Sequence, residues 1–336
     1  MSERIAVLGA GSWGISIANL LHGNGHRVRL WEYDRSEFEY LVSRRSHEKK
    51  LPGITLPDEI DITNDLMYAV SECDYILFVV PAQRVRQVCE ALNRIGPSCG
   101  NYINLAKGIE VDSTLRMSEV IETTISLSDG GTIATLSGPS HAEEVARSIP
   151  TSVVVASKSM DFARVVQDLF NNRTFRVYRS TDLIGVELGG SLKNVIAIAS
   201  GIVQGLGLGD NTLGALMTRG MAEITRMGIK LGAVPLTFTG LSGIGDLITT
   251  CISRHSRNRY VGERIGRGER LDDILKGMVM VAEGVDTCRS ALAMSLRHEV
   301  EMPITCEIYK VLFQNKSPAE AVVDLMSRPL KEEVWS

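Results

Sequence analysis

The sequence predicts a doubly wound α/β unit of Rossmann type with a mainly parallel sheet, followed by an all-α unit. Three observations carry this. A strand-like run, Ile5-Ala6-Val7-Leu8, leads straight into Gly9-Ala10-Gly11-Ser12-Trp13-Gly14 and then into a helical pattern. Apolar β-runs and helical stretches then alternate as far as Tyr178, as they do when helices cover both faces of a parallel sheet. After about Arg179 the strand patterns stop, and helices separated by glycine or proline follow. The expected division is therefore residues 1–180 and 181–336.

In chain order, the predicted strands are Ile5–Leu8, Arg27–Trp31, Asp74–Val80 (stopped by Pro81), Asn101–Ala106, Thr132–Leu136, Thr151–Ala156 and Phe175–Tyr178. Between them, Trp13–Gly23 carries Ile15, Ala18 and Leu21 on one helical face. Val85–Asn93, Arg116–Ile125, Ala142–Arg147 and Met160–Phe170 repeat that spacing. The second half reads as helices from Leu183–Val203 through Leu213–Leu231 and Asp246–Ile252 to Pro318–Met326. The apolar stretch Val195–Leu208 is short and interrupted by Gly201, Gly205 and Gly207, so it is expected to be a core helix and not a membrane span. Ser43–Lys50 reads as a solvated mixed-charge loop.

Composition narrows the function. A chain of 336 residues, 44% hydrophobic and 23% charged, suits a globular protein of about two domains. The formal net charge of −4 gives no global basic field for nucleic acid or anionic lipid. The six cysteines form no C-x-x-C pair and no zinc or iron–sulfur spacing, so no metal is expected and the thiols read as reduced, in a cytoplasmic protein. No signal peptide is expected, because the run after Arg4 is needed as a strand.

Gly9 to Gly14 fits G-x-G-x-x-G in the strand–turn–helix setting that gives the pattern meaning. Gly9 makes the tight turn, Gly11 lets the backbone approach a pyrophosphate, and Gly14 lets helix and strand pack closely. Free N–H groups at the helix start then face the anion. Glu32, at the end of the second strand, suits the ribose 2′-hydroxyl of NAD, whereas Arg35 nearby would offset its repulsion of a 2′-phosphate, so NAD and NADP both stand.

Two lysines mark the chemical end. Lys107 ends a strand at the carboxyl edge of the sheet, where α/β proteins bind ligands. Lys193 lies in the small and apolar helix around Leu188–Ile198, where an ammonium is costly to bury without a partner. With Leu51-Pro52-Gly53, Ala106-Lys107-Gly108, Ser137-Gly138-Pro139-Ser140, Gly243-Ile244-Gly245-Asp246-Leu247, Ser256-Arg257-Asn258-Arg259 and Glu283-Gly284, the chain resembles the bacterial NAD(P)-dependent sn-glycerol-3-phosphate dehydrogenase family over essentially its whole length.

The resemblance implies a helical domain like that of 6-phosphogluconate dehydrogenase, NAD(P)H as cofactor, a homodimer, and interconversion of dihydroxyacetone phosphate and sn-glycerol 3-phosphate for phospholipid synthesis. It implies Lys193 as proton donor and acceptor, and Lys107 as a contact to both cofactor and substrate. Gly138, Ser140, Asp246, Ser256, Arg257 and Asn258 would contact substrate. Ser12, Trp13, Tyr33, Ala142, Arg257, Val281 and Glu283 would join the glycine turn around the cofactor.

The chemistry agrees: hydride delivery to a ketone leaves negative charge on oxygen, which needs a cation or donor aimed at it. Alternative readings accompany several residues. Ser140-His141-Ala142-Glu143 also reads as a capping box, Ser256–Arg259 as a polar helix cap, and Asp246 as a cap or as the group that positions Lys193. His141 and His255 are expected to be bystanders, since lysine fills the proton role. The rivals are a 3-hydroxyacid or 6-phosphogluconate-type dehydrogenase and a non-catalytic NAD(P)-sensing protein.

Overall fold

The computed structural model describes residues 2–96, 99–125, 132–330 and 332–333, so the outermost ends of the expected division, residues 1 and 336, lie outside them. Among the described residues ten strands form: β1 (Arg4–Leu8), β2 (Arg27–Trp31), β3 (Ser46–His47), β4 (Leu51–Thr55), β5 (Asp61–Thr63), β6 (Tyr75–Phe78), β7 (Asn101–Asn104), β8 (Thr132–Ser137), β9 (Thr151–Ser157) and β10 (Phe175–Ser180). Eight of them make one sheet in the order β10-β9-β8-β7-β6-β1-β2-β5, and β3 pairs β4 in a small antiparallel ribbon. Every pairing in the large sheet is parallel except β8 with β9.

Seven helices accompany the strands: α1 (Ser12–Gly23), α2 (Arg35–Arg44), α3 (Leu66–Val70), α4 (Val85–Ile95), α5 (Met117–Thr124), α6 (Ala142–Val145) and α7 (Met160–Phe170). The all-helical part holds α8 (Leu183–Gly205), α9 (Asp210–Lys230), α10 (Asp246–Ile252), α11 (Arg257–Gly266), α12 (Leu271–Lys276), α13 (Glu283–His298), α14 (Pro303–Phe313) and α15 (Pro318–Met326). Separate apolar cores lie on the two faces of the sheet, around Val7, Leu30 and Ile103 on one and Leu8, Phe78 and Tyr102 on the other. A third fills the helical part around Leu192, Ile196 and Leu247. From β1 the chain runs to β2 on one side while β6 lies on the other, so the glycine turn opens at a topological switch point.

One expectation needs correction. Ser43–Lys50 is not a solvated loop: β3 and β4 pair there, His47 is buried, and Lys50 is largely covered. The expected helix Leu183–Val203 forms and runs through Gly201, α8 continuing unbroken to Gly205. A Cβ at Gly201 would stand 2.0 Å from the Arg259 carbonyl oxygen, so this glycine serves close approach of α11 and not helix termination. Among the described residues α8 is the one helix long and apolar enough to cross a membrane, and it is buried whole within the protein.

Candidate active site

A cleft of about 980 Å³ runs from the carboxyl edge of the sheet to the helical part. The glycine turn forms one wall. Gly9 has φ +116°, and a Cβ at Gly14 would stand 1.8 Å from its carbonyl oxygen, whereas a Cβ at Gly11 would meet nothing within 4 Å. The first glycine thus turns the chain, the third admits α1 against the turn, and the second leaves backbone open to the cleft. Gly14 stands behind that wall, while Gly9, Gly11, Ser12 and Trp13 line it. No side chain caps α1, which leaves its first N–H groups for a phosphate. Ser16 Oγ donates to the Ala142 carbonyl at 3.2 Å and brings Ala142 to the same wall.

At the end of β2, Glu32 is 12% exposed and Tyr33 stands on the rim, 76% exposed. The cation beside Glu32 is Lys50 and not Arg35. Lys50 Nζ lies 3.8 Å from Glu32 and 2.8 Å from Glu37, while Arg35 points to solvent and pairs with Glu39. The hydrogen bond from Lys50, with help from His47, holds the Glu37 carboxyl below its ordinary range.

The two lysines meet at one carboxylate. Lys107 Nζ lies 2.8 Å from Asp246 Oδ2, and Lys193 Nζ lies 3.1 Å from Asp246 Oδ1. A kink at Gly243 delivers Asp246. Its backbone is non-helical, and a Cβ there would stand 2.1 Å from the Phe238 carbonyl oxygen. Asp246 therefore bridges cations and caps no helix, since the N-cap of α10 is Gly245. Lys193 is almost wholly buried and donates to Thr250 Oγ1 at 2.6 Å and to Asn194 Oδ1 at 3.3 Å. Burial pulls its pKa down to about 8; Asp246 resists the shift and Lys107 deepens it.

Lys107 also donates to the Gly138 carbonyl at 2.8 Å and lies 3.5 Å from Ser140 Oγ. Gly138 has φ +138° and stands just outside the cleft wall, offering that carbonyl to Lys107 and to the Ser140 hydroxyl. The capping-box reading of Ser140 is wrong, because His141 holds the N-cap position of α6 and makes no side-chain cap.

The phosphate-like cluster works differently from a row of side-chain donors. Ser256 caps α11 by accepting from the Arg259 N–H at 3.2 Å. Asn258 donates to Asn194 Oδ1 and accepts from the Gly284 N–H, both at 2.9 Å, pinning α8, α11 and α13 together. What these two residues present is the N-terminal end of α11, with Arg257 beside it donating to the Val281 carbonyl at 3.0 Å.

Glu283 Oε1 accepts from the Ala82 N–H at 3.0 Å, while its Oε2 is buried without a partner among the described residues. Burial pushes this carboxyl up to about 7. The open face at Gly11, the uncapped start of α1, Glu32 and the orphaned Glu283 Oε2 together suit a dinucleotide. Sequence reading missed Lys50, Asn194 and Thr250, and it set aside His141 and His255, both of which line the cleft. Asn194 adjoined a residue already singled out; Lys50 and Thr250 carried no signal in isolation.

A glycine turn at the switch point of a parallel sheet, facing a buried lysine on a helical partner, defines a two-domain nicotinamide-dinucleotide dehydrogenase. Family models for the NAD-dependent glycerol-3-phosphate dehydrogenase N-terminus and C-terminus match residues 4–163 and 182–323. The chain belongs to the NAD-dependent glycerol-3-phosphate dehydrogenase family, which sets aside the hydroxyacid-type and cofactor-sensing rivals.

Glycerol-3-phosphate dehydrogenase [NAD(P)+] of Thermoanaerobacter sp. is 51% identical over 98% of this chain and 99% of its own. The protein of the same name from Prosthecochloris aestuarii is 49% identical over the same shares. The crystal structure of glycerol-3-phosphate dehydrogenase from Coxiella burnetii superposes with a TM-score of 0.93 at 34% identity, covering 97% of this chain and 99% of that one.

Proposed function

We propose that this chain interconverts dihydroxyacetone phosphate and sn-glycerol 3-phosphate with NADH or NADPH, supplying the glycerophospholipid backbone in the cytoplasm. The observation that carries the reading is Asp246 bridging Lys107 and Lys193 beside the start of α11. Residues 1–180 bind the dinucleotide, and residues 181–336 supply Lys193 and most of the substrate site. A reduced nicotinamide cofactor bound there would supply the hydride that the substrate's C2 receives. Lys193 gives its ammonium proton to the C2 oxygen as charge develops there, and takes a proton back in the reverse direction.

Asp246 keeps Lys193 aimed, and Lys107 adds a second positive charge near the developing oxyanion. Arg257, with the N–H groups at the start of α11 near Ser256 and Asn258, holds the phosphate; Ser140 and the Gly138 carbonyl fix Lys107. On the cofactor side, Gly9, Gly11, Ser12, Trp13 and Gly14 form the pyrophosphate turn. Glu32 and Tyr33 bound the ribose, and Lys107, Ala142, Arg257, Val281 and Glu283 close around the rest. The protein works as a homodimer; a monomer mass by light scattering would refute that part.

The test is oxidation of NADH and NADPH, followed at 340 nm, on addition of dihydroxyacetone phosphate. Turnover with at least one cofactor is expected. Inertness with both overturns the proposal.

A further inference from the structure

His141 has no local task that explains its place. It sits at the N-cap of α6 in extended backbone, yet its side chain caps nothing; only its carbonyl is engaged, by the N–H groups of Glu144 and Val145. Its ring lies in the wall of the cleft, between Ser140, which touches Lys107, and His255, whose ring centroid is 5.9 Å away. His255 in turn precedes Ser256 and the start of α11. The imidazole therefore lies along the path from the lysine cluster to the phosphate-holding helix end. Its Nε2 is buried and has no hydrogen-bond partner among the described residues. An unmet buried polar atom is costly, so a partner in the working state is expected.

The ionisable groups around it are Lys193 on α8, Lys107 after β7, Asp246 on α10, Glu143 on α6 and the neighbouring His255. Burial and the two ammonium groups hold the ring below its ordinary pKa, so it is a neutral imidazole at pH 7. A neutral ring carries one N–H donor, and with that hydrogen on Nε2 it presents a donor without adding a third cation beside Lys107 and Lys193.

We propose that His141 is a substrate-recognition residue that donates a hydrogen bond from Nε2 to an oxygen of the bound three-carbon phosphate, between Lys193 and the start of α11. This rests on the dihydroxyacetone phosphate reading above. The lysines carry the chemistry, and His141 sets the fit of the substrate.

The experiment compares the full-length wild type with His141→Phe, which keeps ring volume without a donor, and His141→Gln, whose amide restores one. Steady-state rates are taken against dihydroxyacetone phosphate at saturating reduced cofactor, and cofactor affinity is read by fluorescence quenching. His141→Phe should raise KM for dihydroxyacetone phosphate roughly ten-fold or more, as expected for losing a hydrogen bond to a charged group. Its kcat should change by less than about three-fold, as for a bond made equally in the ground and transition states. Cofactor affinity should hold, and His141→Gln should recover most of the lost KM. An unchanged KM in His141→Phe overturns the proposal. So does weakened cofactor binding with KM unaltered, which would give the ring to the dinucleotide. A failure of both variants to fold would also overturn it, because it would make the residue structural. Wild-type inertness toward dihydroxyacetone phosphate would instead overturn the underlying reading.

Discussion

Lys193 pairs an ammonium with a carboxylate inside a nearly closed wall, and this balance sets when it can give or take a proton. Its pKa is lowered to about 8, so the ammonium persists below that pH and the neutral amine prevails above it. Ketone reduction needs the protonated form, so its rate should fall as pH rises through about 8; alcohol oxidation needs the free amine and should rise through the same range. Lys193→Met should abolish both directions while reduced cofactor still binds. Matching profiles in the two directions, or near-normal turnover in that variant, would refute the role.

Lys193 was legible from its unsuitable helix and its motif, but whether Asp246 caps a helix or partners Lys193 was not, because the Gly243 kink decides it. Lys50 was illegible for a similar reason: the β3–β4 ribbon, not sequence proximity, carries it back to Glu32. With Lys50 beside a carboxylate suited to a ribose hydroxyl, one site can take either nicotinamide cofactor. Lys50→Ala should raise KM for NADPH roughly ten-fold or more, the usual consequence of losing a charge-assisted bond, and leave KM for NADH within about two-fold. Parallel changes with the two cofactors would remove Lys50 from the choice.

At the scale of elements, apolar period and glycine placement revealed the seven predicted strands and most helices but not the meaning of each glycine. The Gly9–Gly14 turn was readable because a known ligand geometry requires all three glycines. Gly201 falls inside the expected helix Leu183–Val203 even though helix propensity disfavours glycine by about 1 kcal/mol relative to alanine. In the fold that cost is offset by packing: Gly201 admits the backbone of α11 at Arg259, and Gly262 on α11 admits α8 at Ile198 in return. The result is a close crossing of two helices, one bearing Lys193 and the other opening the phosphate end. The short strand β5 escaped notice because three residues with an acidic first position carry almost no alternating pattern. At Ser140 it was the capping-box alternative that failed: the spacing satisfies such a box, but the hydroxyl is already turned toward Gly138 and Lys107.

For the whole molecule, the proposed mechanism requires the helix bearing Lys193 to keep its position over the sheet that carries the glycine turn. Glu187, under two turns before Lys193 on α8, makes that attachment. Its buried carboxylate accepts from the Ser118 N–H at 2.8 Å, Ser118 Oγ at 2.6 Å, Thr135 Oγ1 at 3.1 Å and Arg116 at 2.5 Å. All three partner residues belong to α5, its N-cap and β8, on the sheet side of the cleft. Removing the carboxylate would leave the Ser118 N–H and hydroxyl and the Thr135 hydroxyl short of an acceptor, while Arg116 keeps its pair with Glu119, so Glu187→Ala should destabilise the fold by about 1–3 kcal/mol, readable in denaturant unfolding. Glu187→Gln retains acceptor capacity and should keep the fold while loosening the helix. In that variant kcat should fall several-fold with reduced-cofactor affinity preserved, because the glycine turn is untouched and only the approach of Lys193 is altered. If Glu187→Gln weakens cofactor binding and leaves kcat intact, the carboxylate serves the sheet alone and the proposed coupling across the cleft fails.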